Sequence, residues 1–181
     1  MNCLVTYAST YGSTKRYAQW IAEELSCDIL ESKKATPARL AQYDVIIHGG
    51  GLYAGSLNGV NLLAKKYSTL ADKTLVLFSC GFGDPTDPDN ISQIRTGLSK
   101  SLTPEMLEHI QLFHFRGGID YPNLNLVHKG MMAMLKKMML SKGYENLRPE
   151  DRDMLDSYGT YIDYVDRAAI QPLIDYVRNR G

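Results

Sequence analysis

Six consecutive residues near the start of the chain carry the densest chemistry. Ser9-Thr10-Tyr11-Gly12-Ser13-Thr14 holds four aliphatic hydroxyls, a tyrosine and a glycine. A strand-like run, Asn2 to Ala8, comes before it. A helix-like run, Lys15 to Leu25, comes after it. A helix N-terminus exposes unpaired N–H groups and partial positive charge, so a phosphate dianion is well placed there. The hydroxyls of Ser9, Thr10, Ser13 and Thr14 add donors, and Gly12 lets the backbone come close to a ligand. An ordinary N-cap would explain one hydroxyl. It does not explain four with a glycine between them. The triphosphate pattern GxxxxGK[ST] and the dinucleotide pattern GxGxxG are both absent, which favours a monophosphate.

Such a loop needs a scaffold, and the rest of the chain supplies one. Tyr17, Ala18, Ile21, Ala22 and Leu25 fall on one helical face. Short apolar runs at Cys27–Leu30, Val45–His48, Thr74–Ser79 and Gln111–Phe115 read as four further strands. Gly49, Gly50 and Gly51 read as the end of the third. Helices are expected at Asn58–Tyr67, Ile91–Leu102, a short piece opening at Thr103-Pro104-Glu105, and Ile162–Arg178 with a break near Pro172. Five strands alternating with helices predict an α/β fold with a doubly wound parallel sheet. The 181 residues suit one domain over 1–181. Residues 117–158 are too long for a simple connection and read as an insertion.

Three segments then carry a resemblance. They are STYGST (9–14), GGGLYAG (49–55) and FRGGIDYPNLNLVHKGMMAMLKKMM (115–139). The chain resembles the flavodoxin-like family, in the branch that includes menaquinone-dependent protoporphyrinogen IX dehydrogenase. That likeness implies sheet order 2-1-3-4-5, with the insertion between strand 5 and the last helix. It implies FMN held noncovalently at the carboxyl ends of the strands, the usual ligand edge of such sheets. It also implies an FMN-dependent oxidoreductase passing electrons from a reduced small molecule to a quinone. A flavodoxin-type carrier between redox proteins is the alternative, and a non-redox binding module is a third reading. The neutral charge and the insertion weigh against a carrier.

On this resemblance the loops after strands three and four flank the flavin ring. Gly51, Leu52, Tyr53, Ala54 and Gly55 form one side, with Tyr53 able to stack on a flat ring. The other reading is a glycine-rich turn with a surface tyrosine. Cys80, Gly81, Phe82 and Gly83 form the other side, with Phe82 as a shield and Cys80 as a strand-end core thiol. Pro85 to Asn90 reads as a solvated loop. Gly117-Gly118-Ile119-Asp120-Tyr121 matches the family's run, and Tyr121 is expected near the ring or the substrate side. Flavin chemistry belongs largely to the cofactor, so no catalytic acid or base is assigned.

The insertion mixes Met131, Met132, Met134, Met138 and Met139 with Lys129, Lys136, Lys137 and Lys142. Two readings stand for 126–142. Its methionines pack on the domain or on a second copy, as in a homodimer, with the lysines in water. Alternatively it meets a hydrophobic substrate, a quinone or an anionic membrane surface.

Composition sets the outer limits. Net charge is +0, which argues against a nucleic-acid partner. Cys3, Cys27 and Cys80 are odd in number and form no CxxC pair, so neither a disulfide nor a zinc site is expected. No metal is expected, because His48, His109, His114 and His128 lack ligand spacing. His48 and His114 fall in strand runs and read as core histidines. The N-terminal run is not expected to be a signal peptide. A reducing cytoplasm is expected, with peripheral contact to the inner membrane face open through the insertion.

Overall fold

The computed structural model describes residues 2–53 and 55–180. Strand β1 (Cys3–Ala8) leads into helix α1 (Ser13–Leu25), strand β2 (Asp28–Glu31) and a short helix α2 (Pro37–Leu40). Then come β3 (Val45–Tyr53), a two-residue strand β4 (Ser56–Leu57), α3 (Asn61–Leu70) and β5 (Thr74–Gly81). Helices α4 (Pro88–Leu98) and α5 (Pro104–His109) precede β6 (Gln111–Arg116). The chain continues through β7 (Gly118–Asp120), α6 (Leu126–Lys142), α7 (Pro149–Asp156), β8 (Tyr161–Asp163) and α8 (Gln171–Arg178).

The long strands pair in parallel in the order β2-β1-β3-β5-β6, with β4 antiparallel on β3. Once β4 is set aside, this is the 2-1-3-4-5 order. The fold class is therefore α/β, a doubly wound five-stranded parallel sheet of flavodoxin type. Central strands are apolar on both faces, because helices cover both. Alternate residues feed two cores. Val5, Ile47, Val76 and Phe78 pack with Tyr17 and Ile21 of α1 and with Leu173, Ile174 and Val177 of α8. Leu4, Ile46, Leu75 and Leu77 pack with Leu63 and Leu70 of α3 and Ile94 and Leu98 of α4.

Four expectations need correction. The glycines at 49–51 do not end the third strand. They continue β3 in register with Phe78, Ser79 and Cys80. The space above Gly49 is filled by the Phe78 ring, so glycine here makes room rather than a turn. The last helix does not start at Ile162. Tyr161–Asp163 pairs antiparallel with Gly118–Asp120, and a 3-10 turn, Arg167–Ile170, precedes α8. Helix α4 runs from Pro88 to Leu98, so its start claims part of the expected solvated loop. Asp87 caps it by accepting from Asp89 N–H, with proline at its first turn.

The fourth concerns sulfur. Cys3 and Cys27 are joined as a disulfide, with their Cα atoms 5.0 Å apart. β1 and β2 are parallel neighbours, and Cys27 directly precedes β2, so folding brings together cysteines 24 apart in sequence. The thiol count that supported a reducing compartment is thereby reduced to Cys80. Among the described residues no helix is long and apolar enough to cross a membrane.

Candidate functional site

The phosphate-loop segment turns the chain from β1 into α1. Gly12 sits at φ 99°, in the left-handed region that glycine adopts freely, and forms the N-cap. Its N–H donates to Ser9 Oγ at 3.1 Å, and its carbonyl accepts from Arg16 N–H at 3.0 Å. The helix starts at Ser13, two residues earlier than periodicity indicates. No side-chain oxygen caps α1, and its first turn holds no acid. Among the described residues no side chain caps the leading N–H groups, and with the helix dipole they make this end suited to an anion. Thr14 is buried at 3% exposure. Thr10 Oγ1 accepts from Asn58 Nδ2 at 3.4 Å. This cradle fits the phosphate of a mononucleotide.

A cleft opens beside it at the carboxyl ends of the strands. Ser9, Tyr11, Ser13 and Thr14 form its phosphate-loop wall. Gly51, Leu52 and Tyr53 bring the end of β3, and Cys80, Gly81 and Phe82 bring the end of β5 with its loop. Gly117, Gly118 and Ile119 close a third side. These loops converge because parallel strands end at one edge, so residues far apart in sequence share it.

Some expected site residues are not among those that line this cleft. Thr10 borders a neighbouring depression with Asn58 and Lys33, and Gly12 shapes the turn from behind the lining. Gly55 lies in the β3–β4 turn, and Gly83 packs against Asn90. Ala54 lies outside the described residues. Tyr121 is 5% exposed, its ring 5.0 Å from that of Tyr158, and its hydroxyl donates to the Met154 carbonyl at 3.4 Å. Burial pushes its phenol up to about 12. It supports α7 and is not among the cleft residues.

Other lining residues were not legible as site residues. Leu124, His128, Met131, Met132 and Leu135 come from α6 and the turn before it, and Met154 comes from α7. The methionine content marked the helix as unusual, but no local signal tied it to the phosphate loop. His128 Nδ1 lies 2.5 Å from Tyr11 Oη. Its imidazole stacks on Tyr53, with centroids 5.2 Å apart and planes 10° apart. Tyr53 therefore presents one ring face to a protein neighbour.

Electrostatics support a dry, uncharged wall. Burial pushes the Cys80 thiol up to about 12, which keeps it protonated, as suits a core thiol. Desolvation raises the Tyr53 phenol as well. Phe82 is held from outside: its carbonyl accepts from Arg116 Nε at 3.1 Å, and that guanidinium lies 3.8 Å from the Tyr164 ring centroid. His48 is fully buried, as expected of a core histidine, whereas His114 is only half-buried on the edge strand β6. Thr6 Oγ1 lies 2.9 Å from His48 Nδ1, and Ser79 Oγ lies 2.8 Å from His114 Nδ1.

Fold and cleft together define an α/β protein with a helix N-terminus and an apolar cleft at the carboxyl edge of a parallel sheet. The sequence profile of the flavodoxin domain matches residues 4–146. The chain belongs to that family, and its cofactor is FMN. It is 22% identical over 144 residues to a protoporphyrinogen IX dehydrogenase [quinone] of Leishmania major, covering 75% of this chain and 62% of that protein. It is 31% identical over 84 residues to an uncharacterised protein of Methanocaldococcus jannaschii, covering 45% of this chain and 56% of the other. The chain thus spans about three fifths of the length of these relatives. Among solved structures, flavodoxin 2 of Bacillus cereus superposes with a TM-score of 0.43 at 19% identity, covering 69% of this chain and 88% of that one.

Proposed function

We propose that this protein is an FMN-dependent oxidoreductase that takes electrons from a reduced small molecule and passes them to a quinone. The observation that carries this reading is the methionine wall. Met131, Met132 and Leu135 of α6, with Met154 of α7, line the cleft that also holds the ring-flanking loops. A protein that only exchanges electrons with other proteins needs an accessible ring edge, whereas a roofed apolar chamber suits a flat apolar substrate. The likeness to a quinone-linked protoporphyrinogen IX dehydrogenase supports the same direction.

In this reading the whole chain acts as one domain, with 117–158 as its insertion. Ser9, Thr10, Gly12, Ser13 and Thr14 hold the phosphate. Gly51, Leu52, Tyr53, Cys80, Gly81 and Phe82 border the ring, and Gly83 and Gly55 shape the loops around them. When bound, FMN supplies electron transfer at its ring. The protein excludes water with Leu52, Phe82 and the methionines, and it keeps charge away from the ring through the protonated Cys80.

The outer face of α6 leaves Leu126, Val127, Met134 and Met138 exposed. The helix holds Lys129, Lys136, Lys137 and Lys142 and no acid. Our reading places the protein at an anionic membrane surface through this face, where a lipid-soluble quinone is available.

The test is turnover with protoporphyrinogen as donor and menadione as acceptor, after FMN loading. Oxidation that requires both FMN and menadione supports the enzyme. A protein that binds FMN yet shows no turnover is the carrier instead. Failure to bind FMN removes both readings.

A further inference from the structure

The cleft holds few groups that exchange protons. Among the described residues its lining contains no carboxylate, lysine or arginine. Cys80 is held as a thiol by burial, and desolvation holds Tyr53 as a phenol. Tyr11 and His128 remain, and of the two imidazole is the side chain suited to giving and taking protons near neutrality.

The bonding around His128 fixes its orientation. Tyr11 Oη accepts from Asn125 N–H at 3.3 Å and stands 2.5 Å from His128 Nδ1. A phenolic oxygen has room for a second donor, so in the imidazolium form Nδ1–H donates to Tyr11. Nε2–H is then the ring's remaining donor. Nε2 has no hydrogen-bond partner among the described residues, although the ring lines the cleft. Tyr53 stacked on the ring face holds the imidazole in this pose. Asn125 caps α6 by accepting from His128 N–H at 2.8 Å, which fixes the backbone beneath it. The groups facing His128 are Tyr11 from the phosphate loop and Tyr53 from β3. Cys80 of β5 shares the cleft, and Lys129 adjoins it on α6 itself.

We infer that Nε2 of His128 is the proton donor and acceptor of the cleft, delivering the proton that completes quinone reduction. This rests on the oxidoreductase reading above. A quinone becomes a hydroquinone by gaining two electrons and two protons. FMN, when bound and reduced, would supply the two electrons and one hydrogen nucleus. The second proton comes from Nε2–H of the His128 imidazolium and goes to the other quinone oxygen. The imidazole is left neutral, with Nδ1–H still donating to Tyr11, and water at the cleft mouth returns the proton. When a reduced substrate is oxidised, Nε2 takes the proton that leaves with its electrons.

The experiment uses FMN-loaded protein reduced with dithionite and reoxidised by menadione in a stopped-flow instrument, from about pH 5 to about pH 9. The wild type should slow as pH rises, with one midpoint. His128→Asn keeps a donor near the Nδ1 position and removes Nε2. It should reoxidise about 100-fold more slowly at the acid end, lose the pH break, and be partly rescued by imidazole in the buffer. A readout independent of turnover is the NMR titration of the His128 Cε1–H resonance, assigned by its loss in the variant. It should titrate with the same midpoint as the rate. A resonance that does not titrate, or a variant that binds FMN and reoxidises at the wild-type rate and pH profile, overturns the inference and leaves the function standing. Wild-type protein that binds no FMN fells the functional reading itself.

Discussion

Tyr11 and His128 are 117 residues apart in the chain, and their side chains meet at 2.5 Å. The contact ties the inserted helix α6 to the loop that opens α1. Tyr11→Phe removes the hydroxyl that serves both Asn125 N–H and His128. It should cost about 1–3 kcal/mol, because polar partners lose their bond in a half-buried place. Hydrogen exchange should quicken over 126–142 while the sheet keeps its protection. Unchanged exchange there would mean that α6 is held by its apolar contacts alone.

The hydroxyls of the phosphate loop should set the preference for a phosphorylated flavin. Thr14→Ala and Thr10→Ala should each weaken FMN by about tenfold, the cost of about one hydrogen bond to a charged group. Riboflavin, which lacks the phosphate, should bind equally to wild type and variants. Fluorescence quenching reads both ligands, and equal FMN affinity in all three proteins would remove these hydroxyls from the site.

Gly97 of α4 packs against the carbonyl of Gly55 in the β3–β4 turn. A Cβ there would overlap that oxygen, so Gly97→Ala should force the helix off the turn and cost about 1–3 kcal/mol. At Gly130 of α6 a Cβ would meet no atom within 4 Å, so Gly130→Ala should stabilise by about 0.5–1 kcal/mol. Urea denaturation of the pair checks the contrast, and two shifts of the same sign would contradict it.

Burial pushes the His48 imidazole down to about 4. Above about pH 6.5 both folded and unfolded chains hold it neutral, so it contributes no pH dependence. As pH falls below that value, the unfolded chain takes up a proton that the folded chain refuses until about pH 4. Stability should therefore drop by up to about 3 kcal/mol across that window. Burial also lowers His114, which adds in the same direction. His48→Gln should flatten the slope of the urea midpoint between about pH 7 and about pH 5. An unaltered slope would show that other groups govern it.

The exposed face of α6 predicts salt-sensitive binding to anionic vesicles. Reversing Lys129, Lys137 and Lys142 to Glu should abolish sedimentation with phosphatidylglycerol liposomes while FMN binding persists. Equal pelleting of both proteins, or of neither, would discount the membrane. A monomer–dimer shift on changing Met134 and Met138 to Ser would instead assign the face to a second copy.

The architecture was legible because its determinants are local. Tyr17, Ala18, Ile21 and Ala22 fall on one helical face whatever lies beyond it, and all four are buried. The apolar runs marked the strands for the same reason, and the hydroxyl-rich turn between the first strand and helix marked the anion site. What the tertiary structure decided involves partners distant in sequence. Glycines at 49–51 look like punctuation until the Phe78 ring is found above Gly49. Ile162 reads as helix until it pairs with Ile119 across the insertion. Cys3 and Cys27 carry no spacing signal until β1 and β2 lie side by side. His128 has no motif around it, and only the seating of α6 brings it to Tyr11 and Tyr53. The sequence alone determined the parallel sheet and the glycine turn from β1 into α1, since periodicity and helix-end chemistry act within a few residues. Which side chains close the cleft was settled only by packing between elements far apart in the sequence.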